Sequence, residues 1–260
     1  MWHWVIAFGT SFAANEYENR IGTSSDPLLF SDPPGLDITV RNRVKKENAG
    51  KTWLQQHAGR RTRWLGLGAI VLANLRGEHH LRFMADDATG FVEVFFFEKG
   101  ATELAKNIGG RQRPELEFID ERTDLTPEER ADEEASRHNH QSFWSGSAAH
   151  QFSWMSYVDR VVAGRVTSRA ARAASFLGFY GYAAYIGYTR LEGDDHYLTD
   201  VVAGAAAGIV IGRYFYNAHH PGHRTHASPA GARNDGARAI RIASLAIGRD
   251  RVAVMLRFDL

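Results

Sequence analysis

Three consecutive stretches rich in alanine, glycine and aromatic residues dominate the second half of the chain. They cover roughly residues 145–164, 168–189 and 195–217. A helix needs about 20 mostly apolar residues to cross a bilayer. Within these stretches, the longest segment without a charged residue is 173–189, which is shorter than that and also contains Gly, Ser and Tyr. We therefore predict an all-α protein whose helices are buried in a core or lie at a membrane interface, in a soluble or peripherally attached chain.

The sequence before these stretches predicts further elements. Residues 62–108 predict two helices, with a break near Arg76 and Gly77 or near Asp86 and Asp87. A loop rich in Pro, Gly, Ser and Asp over residues 22–37 leads into a basic amphipathic piece at 38–51.

An acidic segment at residues 115–137 contains a clear helix start. Thr126 suits the capping position, Pro127 suits the first helical position, and Glu129 completes a capping box. A solvated face explains the acidic character, and a lid over a site is the alternative.

The periodicity changes at the C-terminus. Apolar residues alternate with others over 252–258, and the apolar run 240–247 precedes a short turn, which is typical of a β-hairpin. We predict a helical bundle with a small C-terminal hairpin as one domain over residues 1–260, with its core at 62–216, a loop at 217–238 and the hairpin at 239–260.

Composition excludes several classes of function. Lys and Arg number 31 and Asp and Glu number 30, and this balance argues against a nucleic-acid partner held by phosphate neutralisation. The chain has no cysteine, which excludes thiol nucleophiles, cysteine-bound zinc and iron–sulfur clusters. Four histidines in one loop have spacing that a transition metal accepts, but such loops more often bind nothing, so we predict no metal and no cofactor. They are His219, His220, His223 and His226.

Three separate clusters carry residues that suit an oxyanion. Lys106 and Arg113 form the first, and Arg190 in the third adds another permanent cation. Guanidinium groups match the oxygens of a tetrahedral anion two at a time. In the second cluster, Ser145 offers a hydroxyl and Gly146 lets a backbone N–H approach closely at a helix N-terminus, whose dipole favours an anion.

The third cluster also carries a candidate nucleophile. His196 and Asp200 are four residues apart, so on a helix they share one face. We expect Asp200 to hold one imidazole N–H of His196 and to leave the other nitrogen free to attack phosphorus. This arrangement requires no metal.

In order and spacing, the three clusters resemble the type 2 phosphatidic acid phosphatase (PAP2) superfamily, which includes class A acid phosphatases, lipid phosphatases and vanadium haloperoxidases. The family pattern is Lys-x6-Arg-Pro, then Pro-Ser-Gly-His, then Ser-Arg-x5-His-x3-Asp. The first element is complete from Lys106 to Pro114, and the third is matched from Thr189 to Asp200, with Thr in place of Ser. The resemblance covers roughly residues 62–216.

This resemblance implies a role for each matched residue. His196 would be the nucleophile that becomes phosphorylated, and Asp200 would orient it. The phosphate-binding residues would be Lys106, Arg113, Ser145, Gly146 and Arg190.

The second element departs from the family pattern. Ser147 stands where the family has the His that protonates the leaving group, and a serine hydroxyl is no acid near neutral pH. General acid catalysis is worth ~10²- to 10⁴-fold, so a loss of that order is expected for poor leaving groups. His150, one turn further along, is a substitute through a water molecule, and Asp194 and Asp195 are other candidate proton sources.

Two functions from different classes follow. The first is a metal-independent phosphatase for a lipid phosphate, a diphosphate or a small ester, weakened by Ser147. The alternative is a phosphate- or phospholipid-binding protein that has lost efficient turnover. A haloperoxidase fits less well, because those enzymes also use the His that is absent at position 147.

The family resemblance is the main indication of where the protein is located. The resemblance suggests a periplasmic or membrane-associated, extracytoplasmic protein, with peripheral membrane contact as one option. The apolar residues 1–14 are either the remnant of an export signal or an ordinary helix.

Overall fold

The computed structural model describes residues 9, 33–46, 53–75, 80–123, 125–135, 140–220, 240–247 and 252–258. The chain divides into two compact units, Met1–His223 and Arg224–Leu260. The predicted N-terminal segment at 1–14 lies outside the described residues except for position 9.

The first unit is built from helices. In chain order they are α1 Gly35–Val44, α2 Trp53–Asn74, α3 His80–Gly109, α4 Pro114–Glu117, α5 Pro127–Ala135, α6 Gly146–Arg165, α7 Arg169–Glu192 and α8 Leu198–His219. A short 3-10 helix, Ile119–Glu121, follows α4. In the second unit, the backbone has strands β1 Ile240–Ile247 and β2 Val252–Phe258.

The predicted helical class is confirmed in the first unit. The three long helices α6, α7 and α8 coincide with the predicted stretches to within a few residues. Helix α2 ends at Asn74 and α3 begins at His80, so the alternative break at Asp86 and Asp87 is wrong, because both residues are inside α3. Arg76 and Gly77, the other predicted position, lie outside the described residues. The capping box also forms, because Thr126 and Glu129 exchange hydrogen bonds between side chain and backbone.

Two boundaries differ from the sequence prediction. Residues 35–37 belong to α1 rather than to the preceding loop, and residues 217–219 belong to α8 rather than to the following loop. The expected amphipathic piece is a ten-residue helix whose buried side chains are the charged Asp37 and Arg41. The single-domain organisation and the C-terminal hairpin stay predictions.

Glycines bring α6 and α8 into very close contact. A Cβ placed on Gly204 would lie 2.5 Å from the backbone oxygen of Ser145, and Cβ atoms on Gly208 and Gly212 would clash with the backbone of α6 in the same way. The matched positions advance together along both helices, so α6 and α8 run parallel. Their N-termini therefore meet at the same end of the bundle.

An aromatic and aliphatic core holds α2, α3, α6 and α8 together. Phe91 of α3 packs against Trp154 and Tyr157 of α6, and Phe97 packs against Phe215 of α8. Trp154 and Tyr157 have no exposed surface. They are therefore core residues.

One helix among the described residues, α8, is long and apolar enough to cross a membrane by length and composition. Of its most apolar window, 33% is buried inside the protein. Core helices of soluble proteins pass the same test.

Candidate functional site

The N-termini of α6 and α8 form the floor of the candidate site. Ser145 caps α6, with its hydroxyl accepting a hydrogen bond from the N–H of Ala148, and its own N–H donates to the backbone oxygen of Asp200 at 3.0 Å. Both Ser145 and Asp200 are fully buried. Because each helix N-terminus carries about half a positive charge, two parallel N-termini favour an anion at this end.

Lys106 reaches this floor from the last turn of α3. A Cβ on Gly146 would lie 2.9 Å from Cγ2 of Thr102 and 3.8 Å from Nζ of Lys106. Position 146 therefore has no room for a side chain, and the lysine ammonium lies beside its backbone. Glu103 is the acidic neighbour of this lysine, with Oε1 3.5 Å from Nζ.

Two arginines lie on other sides of the site. Arg113 precedes α4, and its Nη1 is 3.3 Å from a carboxylate oxygen of Glu115. Its Nε is buried and has no hydrogen-bond partner among the described residues. Arg190 is in the last turn of α7, where Nη1 is 3.1 Å from Asp195. Each of the three cations thus has an adjacent carboxylate.

The positive charges of all three side chains affect the pKa of His196. Burial lowers its pKa well below the ordinary value, and the positive charges of Arg113, Lys106 and Arg190 lower it further. An opposing effect of this kind comes from like charges nearby, so the charges of the three predicted cations act on this imidazole. The residue is 7% exposed. Because its pKa is lowered, the imidazole is neutral at physiological pH.

The tautomer of His196 follows from its hydrogen-bond partner. Nδ1 lies 2.9 Å from the backbone oxygen of Ser142, which only accepts, so Nδ1 carries the proton. Nε2 then keeps its lone pair. A neutral imidazole whose Nε2 keeps its lone pair can act chemically as a nucleophile, and the three positive charges beside it favour an anion.

The predicted contact between Asp200 and His196 is wrong. His196 lies in the turn before α8 and not on a helix face, and the part of the chain that the structure describes has no hydrogen bond between these two side chains. Asp200 accepts instead from the hydroxyl of Ser142 at 2.6 Å and from the N–H of Tyr197 at 3.0 Å. It therefore reaches the imidazole through Ser142.

Arg111 is a buried site residue whose role the sequence analysis did not identify. Its two terminal nitrogens bind Asp200 at 2.6 Å and Asp37 at 2.7 Å. Burial raises the pKa of Asp200, and the charge of Arg111 opposes this shift together with the bonds from Ser142 and Tyr197. Nothing in the spacing indicates this pairing, because Asp37 is 74 residues from Arg111.

Position 147 and His150 occupy the start of α6. Ser147 is half-buried, and His150 lies one turn further along. Nδ1 of His150 is 2.7 Å from the backbone oxygen of Gly146 and 2.8 Å from a carboxylate oxygen of Glu98 on α3. Burial opposes a charge on this ring, but Glu98 and the Gly146 carbonyl outweigh it and raise the pKa of His150. Lys106 opposes that rise, so its charge reaches both histidines.

Glu98 is fully buried and is held by a chain of hydrogen bonds. Its Oε1 accepts from the hydroxyl of Thr102 at 2.5 Å, and that hydroxyl oxygen accepts from the indole N–H of Trp144 at 2.8 Å. Asp194 and Asp195, the other proton sources considered above, are instead paired with Arg41 and Arg190.

Of the four histidines considered as a metal site, the two that the structure describes bind different carboxylates. His219 pairs with Glu93 at 2.7 Å, and His220 pairs with Asp87 at 2.8 Å. His223 and His226 lie outside the described residues. Within the described ranges, no group of three or more His, Asp or Glu side chains is arranged to hold a metal ion.

Comparison with known proteins gives one match. The family model described as the PAP2 superfamily matches residues 87–224, just over half of the chain. This range contains all three clusters. Neither a curated protein nor a solved structure matches the chain.

Proposed function

The chain belongs to the PAP2 superfamily, and on this premise we propose that it is a phosphatase that works through a phosphohistidine at His196. Members of the family are typically phosphatases. The observation that supports the proposal for this chain is that the charges of Lys106, Arg113 and Arg190 all act on one buried imidazole, that of His196.

The cations and the two helix N-termini bind the phosphoryl group of the substrate. The unpartnered Nε of Arg113 supplies a buried donor, and the lack of a side chain at Gly146 lets the ammonium group of Lys106 lie close to the backbone at the start of α6. Donors already in place stabilise charge on the phosphoryl oxygens during transfer without reorganising. Ser145 is part of this floor through its backbone and its capping hydroxyl.

His196 then attacks. Its Nε2 lone pair forms the N–P bond while the bond from phosphorus to the ester oxygen breaks, and the electron pair of that bond leaves with the oxygen. Nδ1–H stays hydrogen-bonded to Ser142, which Asp200 and Arg111 hold in place. Water hydrolyses the phosphohistidine in a second step, which releases phosphate and restores the imidazole.

The leaving oxygen of an alkyl ester needs a proton. Ser147 does not supply one, and we expect His150 to supply it through a water molecule. The raised pKa of His150 supports this role, because it keeps the ring protonated at a pH where His196 is neutral. The relay is longer than a direct histidine contact, so turnover of alkyl phosphates is weakened.

The substrate is a phosphorylated small molecule or a lipid phosphate. Exposed apolar side chains on α2 and α8 support peripheral membrane contact and a lipid substrate. The most exposed are Trp64 at 71%, Leu72 at 69% and Val210 at 67%. An extracytoplasmic or periplasmic location fits this proposal.

The test compares an aryl phosphate, whose leaving group needs little protonation, with an alkyl phosphate. We expect turnover of the aryl ester, slow turnover of the alkyl ester, and a phosphohistidine trapped by rapid denaturation. If neither ester reacts but vanadate binds, the protein is the phosphate-binding alternative. If neither ester reacts and vanadate does not bind, the site proposal is wrong.

The Ser147→His variant tests the missing acid directly. We expect its alkyl phosphate turnover to rise by ~10-fold or more, a part of the ~10²- to 10⁴-fold value of general acid catalysis. Aryl phosphate turnover is the internal control and stays nearly unchanged. An alkyl rate no higher than that of the parent contradicts the role given to position 147.

A further inference from the structure

Helix α1 is held on the bundle by charged side chains rather than by an apolar face. Of its ten residues, the buried ones are Asp37 and Arg41, whereas Leu36 is 60% exposed. Buried ion pairs gain little stability over apolar packing, because the cost of removing charges from water offsets their attraction. The helix also lies before residues 87–224, which the family model matches. Its buried charges therefore need an explanation other than core stability.

Asp37 binds the beginning of α8. Its Oδ1 accepts from the backbone N–H of Thr199 at 2.9 Å, and its Oδ2 accepts from the hydroxyl of the same residue at 2.6 Å. The N–H of Thr199 is one of the donors that the first turn of a helix leaves unsatisfied, so Asp37 caps α8 from another element. The same carboxylate also binds Arg111, which continues to Asp200.

Arg41 binds Asp194, at the other end of the turn that leads into α8. Its Nε and Nη2 donate to the two carboxylate oxygens of Asp194 at 2.7 and 2.6 Å, which is the two-point geometry that makes such pairs strong. Asp194 has a φ of 59°, in the left-handed region that is unfavourable for a residue other than glycine. The arginine thus holds the residue at which the backbone changes direction.

His196 lies between these two attachments. We propose that Asp37 and Arg41 are positioning residues, which fix the turn at residues 193–199 so that Nε2 of His196 faces the phosphoryl group. The proposal rests on the proposed function. It adds a part of the chain outside the matched family region to the active site, and it explains why α1 buries two charges and exposes its leucine.

The effect of losing either attachment follows from geometry. Reacting groups must be held within about 1 Å, and misplacement by that distance costs about 10²-fold in rate. Among the described residues, no hydrogen bond or ion pair joins Lys106 or Arg113 to α1, so we expect substrate binding to be affected much less than the chemical step. We therefore expect kcat to fall roughly 10- to 100-fold in Asp37→Asn and Arg41→Ala, with little change in KM for an aryl phosphate.

The experiment uses the full chain with Asp37→Asn, Arg41→Ala and Arg41→Lys. The lysine keeps the charge but loses the two-point contact, so it stays informative if the alanine variant fails to fold. Arg43→Ala is the matched control, because Arg43 is an exposed arginine on the same helix. Amide hydrogen exchange is measured beside kcat and KM, since it reports on the turn even without turnover.

We expect exchange at residues 193–199 to be about 10-fold or more faster in the variants than in the control, with α6 unchanged. Unchanged exchange in the turn overturns the proposal. Faster exchange with kcat equal to that of Arg43→Ala also overturns it, because the turn is then not what limits the chemistry. If the parent neither turns over nor binds vanadate, the proposed function itself fails, and exchange still decides whether α1 holds the turn.

Discussion

The surroundings of His196 and His150 shift the pKa values of the two imidazoles in opposite directions. Both imidazoles are at the same end of the bundle, and the charge of Lys106 acts on both. Burial lowers the pKa of each. His196 has Arg113 and Arg190 as further neighbours, and its pKa falls well below the ordinary value, whereas Glu98 beside His150 reverses the effect of burial and raises the pKa.

The difference shows how one residue type serves as base and acid in one site. A histidine nucleophile must be neutral and a histidine proton donor must be charged at the same pH, so the pKa of the donor must lie above that of the nucleophile. Two isolated imidazoles have the same pKa, so the surroundings must separate the two values. Burial and three cations lower the pKa of His196, whereas the buried carboxylate of Glu98 helps to raise the pKa of His150. The comparison can be tested by changing one member at a time.

The largest effect is expected for His196→Ala. The substitution removes the atom that forms the covalent intermediate, so turnover of every ester falls by about 10⁴-fold or more, to background. Phosphate binding, measured by titration calorimetry, is retained because Lys106, Arg113 and Arg190 remain. Residual turnover through a trapped phosphoenzyme at another residue would show that the two histidines have been assigned the wrong roles.

The next effect is expected for His150→Gln. Loss of the proton donor lowers alkyl phosphate turnover by about 10²-fold, whereas aryl phosphate turnover changes little because its leaving group departs as an anion. The ratio of the two rates in the same preparation is the measurement, so errors in active concentration cancel. Equal losses on both substrates mean that His150 supports the fold of the loop at Gly146 and does not donate a proton.

The smallest effect is a change in pH dependence in Glu98→Gln. In the parent, kcat/KM for an alkyl phosphate falls at low pH as His196 is protonated, below the ordinary histidine value of 6.5, and falls at high pH as His150 loses its proton, above that value. Without the carboxylate, burial and Lys106 lower the pKa of His150, and of the causes named above only the hydrogen bond to the Gly146 oxygen still raises it. The high-pH limb therefore moves to lower pH by about one unit or more.

Glu103→Gln is the matched control for this shift. It removes a carboxylate from the same helix, at 3.5 Å from Lys106, whereas the carboxylate that pairs with His150 among the described residues is Glu98. We expect its high-pH limb to stay close to that of the parent. Similar shifts in both variants would mean that overall charge near Lys106, and not the Glu98 contact, sets the pKa of His150.

Much of the helical framework was predictable because its causes are local. The capping box at Thr126 and Glu129 and the apolar composition of α6, α7 and α8 operate within a few residues along the chain. The cluster spacings also led to the family that the family model identifies. In contrast, the spacing of His196 and Asp200 suggested a direct contact on a helix, but α8 begins only at Leu198 and Ser142 intervenes.

The sequence by itself determined which chemical groups are available: three permanent cations, a histidine at the family spacing, a serine in place of the acid, and helices with apolar faces. Only the tertiary structure decided the partners of those groups, such as Asp37 for Arg111, Arg41 for Asp194 and Glu98 for His150. The physical reason is that pKa values and side-chain positions depend on distances through space. Residues as far apart as 153 positions leave no periodic signal along the chain when they form an ion pair.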